Sequence, residues 1–134
     1  MRDRARLPGG AGVIALAVMV AGALGAVSRF VVDGAVRNRW PTTTPWGTFA
    51  INVSGSALLG MLAGLVVFHG APHEWQVIAG TGFCGGYTTF STAAFETVRL
   101  AQREERWRSG AYAVGTLVAS VTACATGMWV VWLA

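Results

Sequence analysis

The stretch GYTTFSTAAF, residues 86–95, lies in the second half of a chain of 134 residues that is 54% hydrophobic and 12% charged. Four hydroxyl side chains fall within five positions of this stretch, and two aromatic rings lie among them: Thr88, Thr89, Ser91, Thr92, Phe90 and Phe95. Such a cluster is unusual in a membrane segment, because a polar group without a partner is costly in hydrocarbon. The stretch therefore indicates a function beyond crossing the membrane.

Apolar runs surround this stretch, and several approach the roughly 20 residues that a helix needs to cross a bilayer. The charged fraction is about half that of a typical soluble domain. The net charge of +4 comes from arginines alone, and no basic patch interleaved with aromatic residues indicates a nucleic-acid partner. We predict one all-α membrane domain, residues 1–134, with four transmembrane helices over residues 12–32, 46–68, 75–100 and 110–133.

The third predicted helix should be broken near its middle. TGFCGGYTTF, residues 81–90, places three glycines directly before the hydroxyl cluster. Glycines at membrane depth are typical of broken or closely packed helices. A break would free carbonyl oxygens, which suit a small cation, and would expose amide and hydroxyl donors, which suit a small anion. The ordinary alternative is that these hydroxyls bond their own helix backbone, and the residues alone leave both interpretations open.

Four other side chains at membrane depth have both an ordinary and a functional interpretation. Arg29 is either a snorkelling residue or an anion attractor at a vestibule. Asn52 either joins two helices or donates its amide N–H to an anion. The ring edge of Phe90 can face an anion, although packing is the commoner role of a phenylalanine. Glu96 is a functional candidate, or a partner of a nearby hydroxyl.

No pattern of enzymatic chemistry is visible, since Ser-His-Asp, HExxH, P-loop and CxxC arrangements are absent from the sequence. His69 and His73 are four positions apart, but the glycine and proline between them argue against a metal-binding helix. Cys84 and Cys124 lie in apolar segments, where free buried thiols are the usual state. We therefore predict a protein that is not an enzyme.

Three motifs together resemble the Fluc (CrcB-like) fluoride channel family: GAVSRF at 25–30, PWGTFAINVSGS at 45–56 and GGYTTFST at 85–92. Their order and spacing extend the resemblance over nearly the whole chain. The resemblance implies a passive, fluoride-selective channel in a prokaryotic cell membrane, which exports cytoplasmic fluoride and relieves its toxicity. It also implies an antiparallel, dual-topology dimer of four-helix subunits with two narrow pores.

The same resemblance implies roles for individual residues. A structural sodium ion would lie at the dimer interface, held by the backbone carbonyls of Gly85 and Thr88. The fluoride pore would be lined by Arg29, Asn52, Phe90, Ser91, Thr92, Glu96 and Ser120. Fluoride is small and strongly hydrated, so a path through lipid must replace its water with other donors. Hydroxyls, an amide and ring edges can do so, which explains the polar cluster in residues 86–95.

The sequence departs from the family pattern at Ala93, where the usual run TTFSTF has a second phenylalanine. The next ring, Phe95, is two positions further on, about 200° around a helix, and cannot face the same pore. Either a similar second subunit supplies the missing ring in a heterodimer, or a homodimer tolerates the alanine. The arginine distribution favours the heterodimer slightly, because a chain that inserts both ways should have balanced loops.

Two further interpretations stay open. The chain could be a non-conducting or regulatory partner subunit of such a channel. It could also be a small multidrug exporter, but these rely on a carboxylate in the middle of the first helix, and residues 12–32 contain none. The partners that we expect are thus fluoride, sodium, the lipid bilayer and a second subunit. The modest excess of arginines in residues 33–45 and 99–109 over the N-terminal Arg2, Arg4 and Arg6 favours a cytoplasmic position for those two loops.

Overall fold

The structure, a computed structural model, describes residues 9–134, so the three N-terminal arginines of the topology argument lie outside the described residues. Every regular element of this part of the chain is helical. The helices are α1 (Gly9–Arg39), α2 (Trp46–His69), α3 (residues 73–87), α4 (Phe90–Gln102) and α5 (Arg106–Leu133). Within the described residues, α1, α2 and α5 are each long and apolar enough to cross a membrane, whereas α3 and α4 divide the third predicted helix between them.

The first helix extends beyond its predicted end at residue 32 and continues to Arg39. The first part of the predicted loop is therefore helical. An ion pair one turn apart, with 2.9 Å between Arg37 Nε and Asp33 Oδ2, supports the extension. Pro41 limits the helix, because proline disfavours a helical conformation in the residue before it. The connection to α2 is consequently short, residues 40–45.

The third predicted helix is interrupted as expected. α3 has α-helical ends and a π-helical middle, Gln76–Cys84. Beyond it, Thr88 and Thr89 have extended backbones, with ψ of 159° and 114°. Thr89 then caps α4, because its side chain accepts a hydrogen bond from the Thr92 N–H. Two threonines thus separate the two halves of this segment.

The interruption does not lie at the glycines, and the expectation that they would break the helix is wrong in this detail. Gly85 and Gly86 are both helical. They belong instead to a close contact with α1, since a Cβ on Gly86 would meet the carbonyl oxygen of Gly22. The reciprocal contact is at Gly25, where a Cβ would meet the carbonyl oxygen of Phe83. The glycines therefore allow two backbones to touch, which is their common use between membrane helices.

A second backbone contact joins α2 to α5. A Cβ on Gly60 would meet the carbonyl oxygen of Cys124, and one on Gly127 would meet that of Ala57. α4 packs on the N-terminal part of α5 and so places the break beside both helices. Many large apolar side chains face outward, among them Phe90, which is 89% exposed. A surface of this kind is expected where lipid or another subunit covers it.

Candidate functional site

Asn52 on α2 binds both backbone groups of Thr89 in the break. Its Nδ2 donates to Thr89 O at 3.0 Å, and its Oδ1 accepts from the Thr89 N–H at 2.8 Å. The side-chain amide thereby replaces the partners that a continuous helix would have supplied, as hydrocarbon surroundings require. Asn52 is therefore a link between helices, and one Nδ2 proton remains for another acceptor.

At the break, two carbonyl oxygens lose the N–H donors that a continuous helix would give them. In an unbroken α-helix the Thr89 N–H would bond Gly85 O, and the Thr92 N–H would bond Thr88 O. Here the first N–H bonds Asn52 Oδ1, and the second bonds Thr89 Oγ1 at 3.2 Å. Gly85 O and Thr88 O are the carbonyls that the family resemblance assigns to sodium. Neutral oxygens released in this way fit a hard cation.

A groove of about 550 Å³ lies beside the break, between α2, α4 and α5. Asn52, Phe90 and Ser120 line it, so the fold brings these three predicted pore residues together. Ala93 also lines the groove, whereas Phe95 does not and is 64% exposed. The described part of α4 therefore offers this groove one phenylalanine where the family pattern has two.

Three hydroxyls on α5 form a column along the same groove: Tyr112, Thr116 and Ser120, at successive spacings of four residues. Their oxygen atoms are buried and form no well-aligned hydrogen bond within the part of the chain that the structure describes, although the Tyr112 hydroxyl lies near those of Thr48 and Thr116. Buried polar atoms are normally bonded, so each exception calls for a water, an ion or a functional role. A column of available O–H donors suits an anion that must lose its hydration shell.

Ser120 is the member of this column that the sequence predicted, whereas Tyr112 and Thr116 were not predicted. The signal that could have found them is the spacing, because residues four apart lie on one face of a helix. Tyr112 and Thr116 stand at that spacing before Ser120 in the printed sequence. Hydroxyls are common in membrane helices, however, and the spacing alone does not show that they lack partners.

The remaining predicted pore residues lie outside the groove. Thr92 Oγ1 accepts a hydrogen bond from Thr89 Oγ1 at 3.0 Å, and Ser91 is exposed nearby. Arg29 is on α1, and no carboxylate among residues 9–134 forms an ion pair with it. Glu96 is buried on α4 and lines a separate polar cavity. Their assignment to the pore stays a prediction.

Comparison with known proteins agrees with the motifs. The family model described as "CrcB-like protein, Camphor Resistance (CrcB)" matches residues 16–128. The protein named fluoride-specific ion channel FluC 1 from Leifsonia xyli is 50% identical over 117 residues, which are 87% of this chain and 85% of that relative. FluC 2 from Mycobacterium bovis is 42% identical over 115 residues, 86% of this chain and 88% of the relative. FluC from Nitrobacter winogradskyi is 43% identical over 118 residues, 87% and 93% of the two chains.

These matches confirm two of the predictions made from the sequence. The family is one of ion channels, a class of proteins that are not enzymes. The three membrane-capable helices, together with these relatives, make the chain a multi-pass membrane protein. A family model over most of the chain and relatives of up to 50% identity leave one conclusion: the chain belongs to the CrcB-like family of ion channels.

Proposed function

We propose that the chain forms a fluoride-selective passive channel that exports cytoplasmic fluoride across the cell membrane of a prokaryote. The observation that carries the proposal is the groove in which Asn52 and Phe90 lie beside three buried hydroxyls that form no well-aligned hydrogen bond within residues 9–134. The relatives' names specify the same ion. In this proposal α3 and α4 together make the third of four membrane crossings, and the break exposes its donors at membrane depth.

Fluoride would exchange its water for donors of this chain. The α5 hydroxyl column, the remaining Nδ2 proton of Asn52 and the ring edge of Phe90 can each make one contact. Several modest contacts allow the ion both to enter and to leave, which conduction requires. A cytoplasm that is negative inside then expels the anion, with about 2.3 kcal/mol per elementary charge for each 100 mV. Hydrogen fluoride enters as a neutral acid and dissociates inside, so this gradient clears the trapped ion.

A sodium ion would be held by Gly85 O and Thr88 O, with equivalent oxygens from a second subunit. The diverted N–H donors described above support this fit. The neighbouring Phe90 ring is 89% exposed, as expected if a second subunit covers the break. The ion would supply a fixed positive charge between the subunits. We propose an antiparallel, dual-topology dimer on these grounds.

The partner in this dimer is, in our proposal, a similar but different chain that supplies the ring missing at Ala93. A homodimer and a non-conducting or regulatory role are the alternatives. The multidrug exporter has less support, because the only carboxylate of α1, Asp33, lies near the end of the helix and pairs with Arg37. We also propose that this chain inserts with its arginine-rich loops in the cytoplasm.

Restoring the missing ring tests the heterodimer. In liposomes that contain this chain alone, we expect Ala93→Phe to release fluoride about tenfold faster than the unmodified chain, an effect of the size of one aromatic contact. A fluoride electrode measures the release. Ala93→Leu is the matched control, because leucine adds bulk without a ring edge. Equal rates for the unmodified chain and Ala93→Phe would contradict the need for a second ring.

Removing a hydroxyl from the α5 column tests the path itself. Thr116→Val keeps the side-chain shape but loses the O–H donor. We expect roughly tenfold slower fluoride release from the form of the channel that conducts, homodimer or heterodimer, because hydrogen bonds to ions are stronger than those between neutral groups. Thr126→Val is the matched control on the same helix, because its hydroxyl bonds its own backbone at Thr122 O, 2.8 Å away. Similar losses in both variants would indicate a general effect on α5 instead of a fluoride path.

A further inference from the structure

A polar cavity that the fluoride groove does not include lies at the end of the molecule where α1 and α4 end and α2 and α5 begin. It consists of two adjoining openings of about 300 and 280 Å³ that share five lining residues. We call it the arginine basin, and its polar lining comprises Arg37, Thr42, Thr43, Thr44, Glu96, Arg99 and Arg103.

The guanidinium groups of the arginine basin are only partly neutralised. Arg37 pairs with Asp33 at 2.9 Å, and Arg99 pairs with Glu96 at 3.8 Å, yet the two arginine side chains remain 60% and 50% exposed. Arg103 forms no ion pair with any carboxylate among residues 9–134. A guanidinium carries five N–H donors in a planar fork that matches phosphate oxygens. The basin therefore has spare donors and positive charge for an oxyanion.

An apolar cleft of about 330 Å³ opens beside the basin, between the N-terminal ends of α2 and α5. We call it the aromatic cleft, and its largest apolar walls are Trp46, Phe49, Leu100 and Trp107. Tyr112 and Thr116 lie between this cleft and the fluoride groove and line both. Thr44, Trp46 and Leu100 line both the cleft and the openings of the basin, so the two are continuous. Arg108, at the cleft, donates to Thr44 Oγ1 at 2.7 Å. One continuous site is thus charged at one end and aromatic at the other.

Exposed tryptophans place this site at the membrane surface. Trp40, Trp46 and Trp107 all lie at this end of the helices and are exposed. Tryptophan is enriched at the depth of the lipid headgroups, where its ring is half in water and half in hydrocarbon. We therefore expect the arginine basin at the level of the phosphate groups and the aromatic cleft at the level where acyl chains begin.

We propose that the arginine basin and the aromatic cleft together bind one anionic phospholipid. Its phosphate would lie against Arg99 and Arg103, and part of an acyl chain would lie along the aromatic cleft. Basic pockets between membrane helices recognise such headgroups. A zwitterionic lipid would place a cation beside the same arginines and bind less well. A free phosphate would use the basin alone, so the continuous apolar cleft favours the lipid.

The test measures lipid binding to the full chain, purified in detergent, by native mass spectrometry with added short-chain phosphatidylglycerol or phosphatidylcholine. We expect phosphatidylglycerol to bind about fivefold or more tightly than phosphatidylcholine. Arg99→Gln/Arg103→Gln should abolish this preference. Arg39→Gln/Arg106→Gln, which removes the same charge from this end of the molecule but outside the basin and the cleft, should keep it.

The double variant could lose lipid binding through a folding defect, because Arg99 also pairs with the buried Glu96. A variant of Arg103 alone separates the two causes. Arg103→Gln breaks no ion pair of the described residues and should reduce phosphatidylglycerol binding about fivefold by itself. Ala111→Trp, which fills the aromatic cleft at an exposed position, should also weaken phosphatidylglycerol binding.

Three outcomes would overturn the proposal. The first is equal binding of the two lipids. The second is an equal loss in the Arg39→Gln/Arg106→Gln control, which would show a general effect of surface charge. The third is full displacement of the lipid by inorganic phosphate together with unchanged binding in Ala111→Trp, which would show that the basin recognises phosphate alone.

Discussion

Asn52→Leu should reduce fluoride release from liposomes by about a hundredfold or more, in whichever form of the channel conducts. The substitution removes both hydrogen bonds to Thr89, and each backbone group left without a partner costs on the order of 1–3 kcal/mol. The Thr89 N–H is then free to bond Gly85 O, which would close the break into a regular helix. Loss of the Asn52 link and closure of the break would each displace Phe90. The substitution also removes the Nδ2 donor of Asn52 from the groove. The fluoride electrode assay measures the loss.

Two further variants separate the link from the permeation path. Asn52→Asp keeps the acceptor for the Thr89 N–H but loses the donor to Thr89 O, so it should retain part of the stability and none of the spare amide proton. Asn38→Leu is the matched control, because Asn38 is the other asparagine of the chain and is exposed near the end of α1. Fluoride release by Asn52→Leu at the rate of Asn38→Leu would refute the assigned role.

Gly25→Val should lower the thermal unfolding temperature by roughly 10 °C or prevent folding, the size of effect expected from an overpacking cost of a few kcal/mol. A Cβ at this position would meet the carbonyl oxygen of Phe83 and would lie 2.9 Å from the Tyr87 backbone nitrogen. Both neighbours are backbone atoms, which cannot rotate away as a side chain can. α1 would have to separate from α3, and the break with its two carbonyls would move with α3.

The matched control for this prediction is Gly12→Val, on the same helix, where a Cβ would have no neighbour within 4 Å among the described residues. Both variants place the same β-branched residue in a helix, so their intrinsic propensities cancel. Thermal unfolding in detergent, followed by circular dichroism, measures the difference. Similar unfolding temperatures for the two variants would show that the backbone contact between α1 and α3 contributes little.

Much of the architecture could be predicted from the sequence because the thickness of the bilayer sets the length of each helix that spans it. Apolar runs must span the hydrocarbon, and the predicted ranges for the second and fourth helices lie close to α2 and α5. The interruption of the third helix and the grouping of Asn52 with Phe90 were also predictable from the motifs. The end of α1 was not, because residues 33–39 are polar enough for a loop and become helical beside an ion pair.

The position of the break and the state of the hydroxyls depend on neighbours that are distant in sequence. Thr88 and Thr89 are extended because Asn52, 37 residues before Thr89, replaces the helical partners, while the glycines stay helical against α1.

Whether a hydroxyl is available also depends on such neighbours. Thr97 and Thr126 bond the carbonyl four residues back, whereas Thr116 faces the groove and forms no such bond within residues 9–134. The three threonines look alike in the sequence, since any threonine in a helix can bond its own backbone. Residue order alone is therefore enough to recognise a polytopic channel and most of its helices, but only the packing of α2 and α4 against α5 shows which donors are left free for an ion.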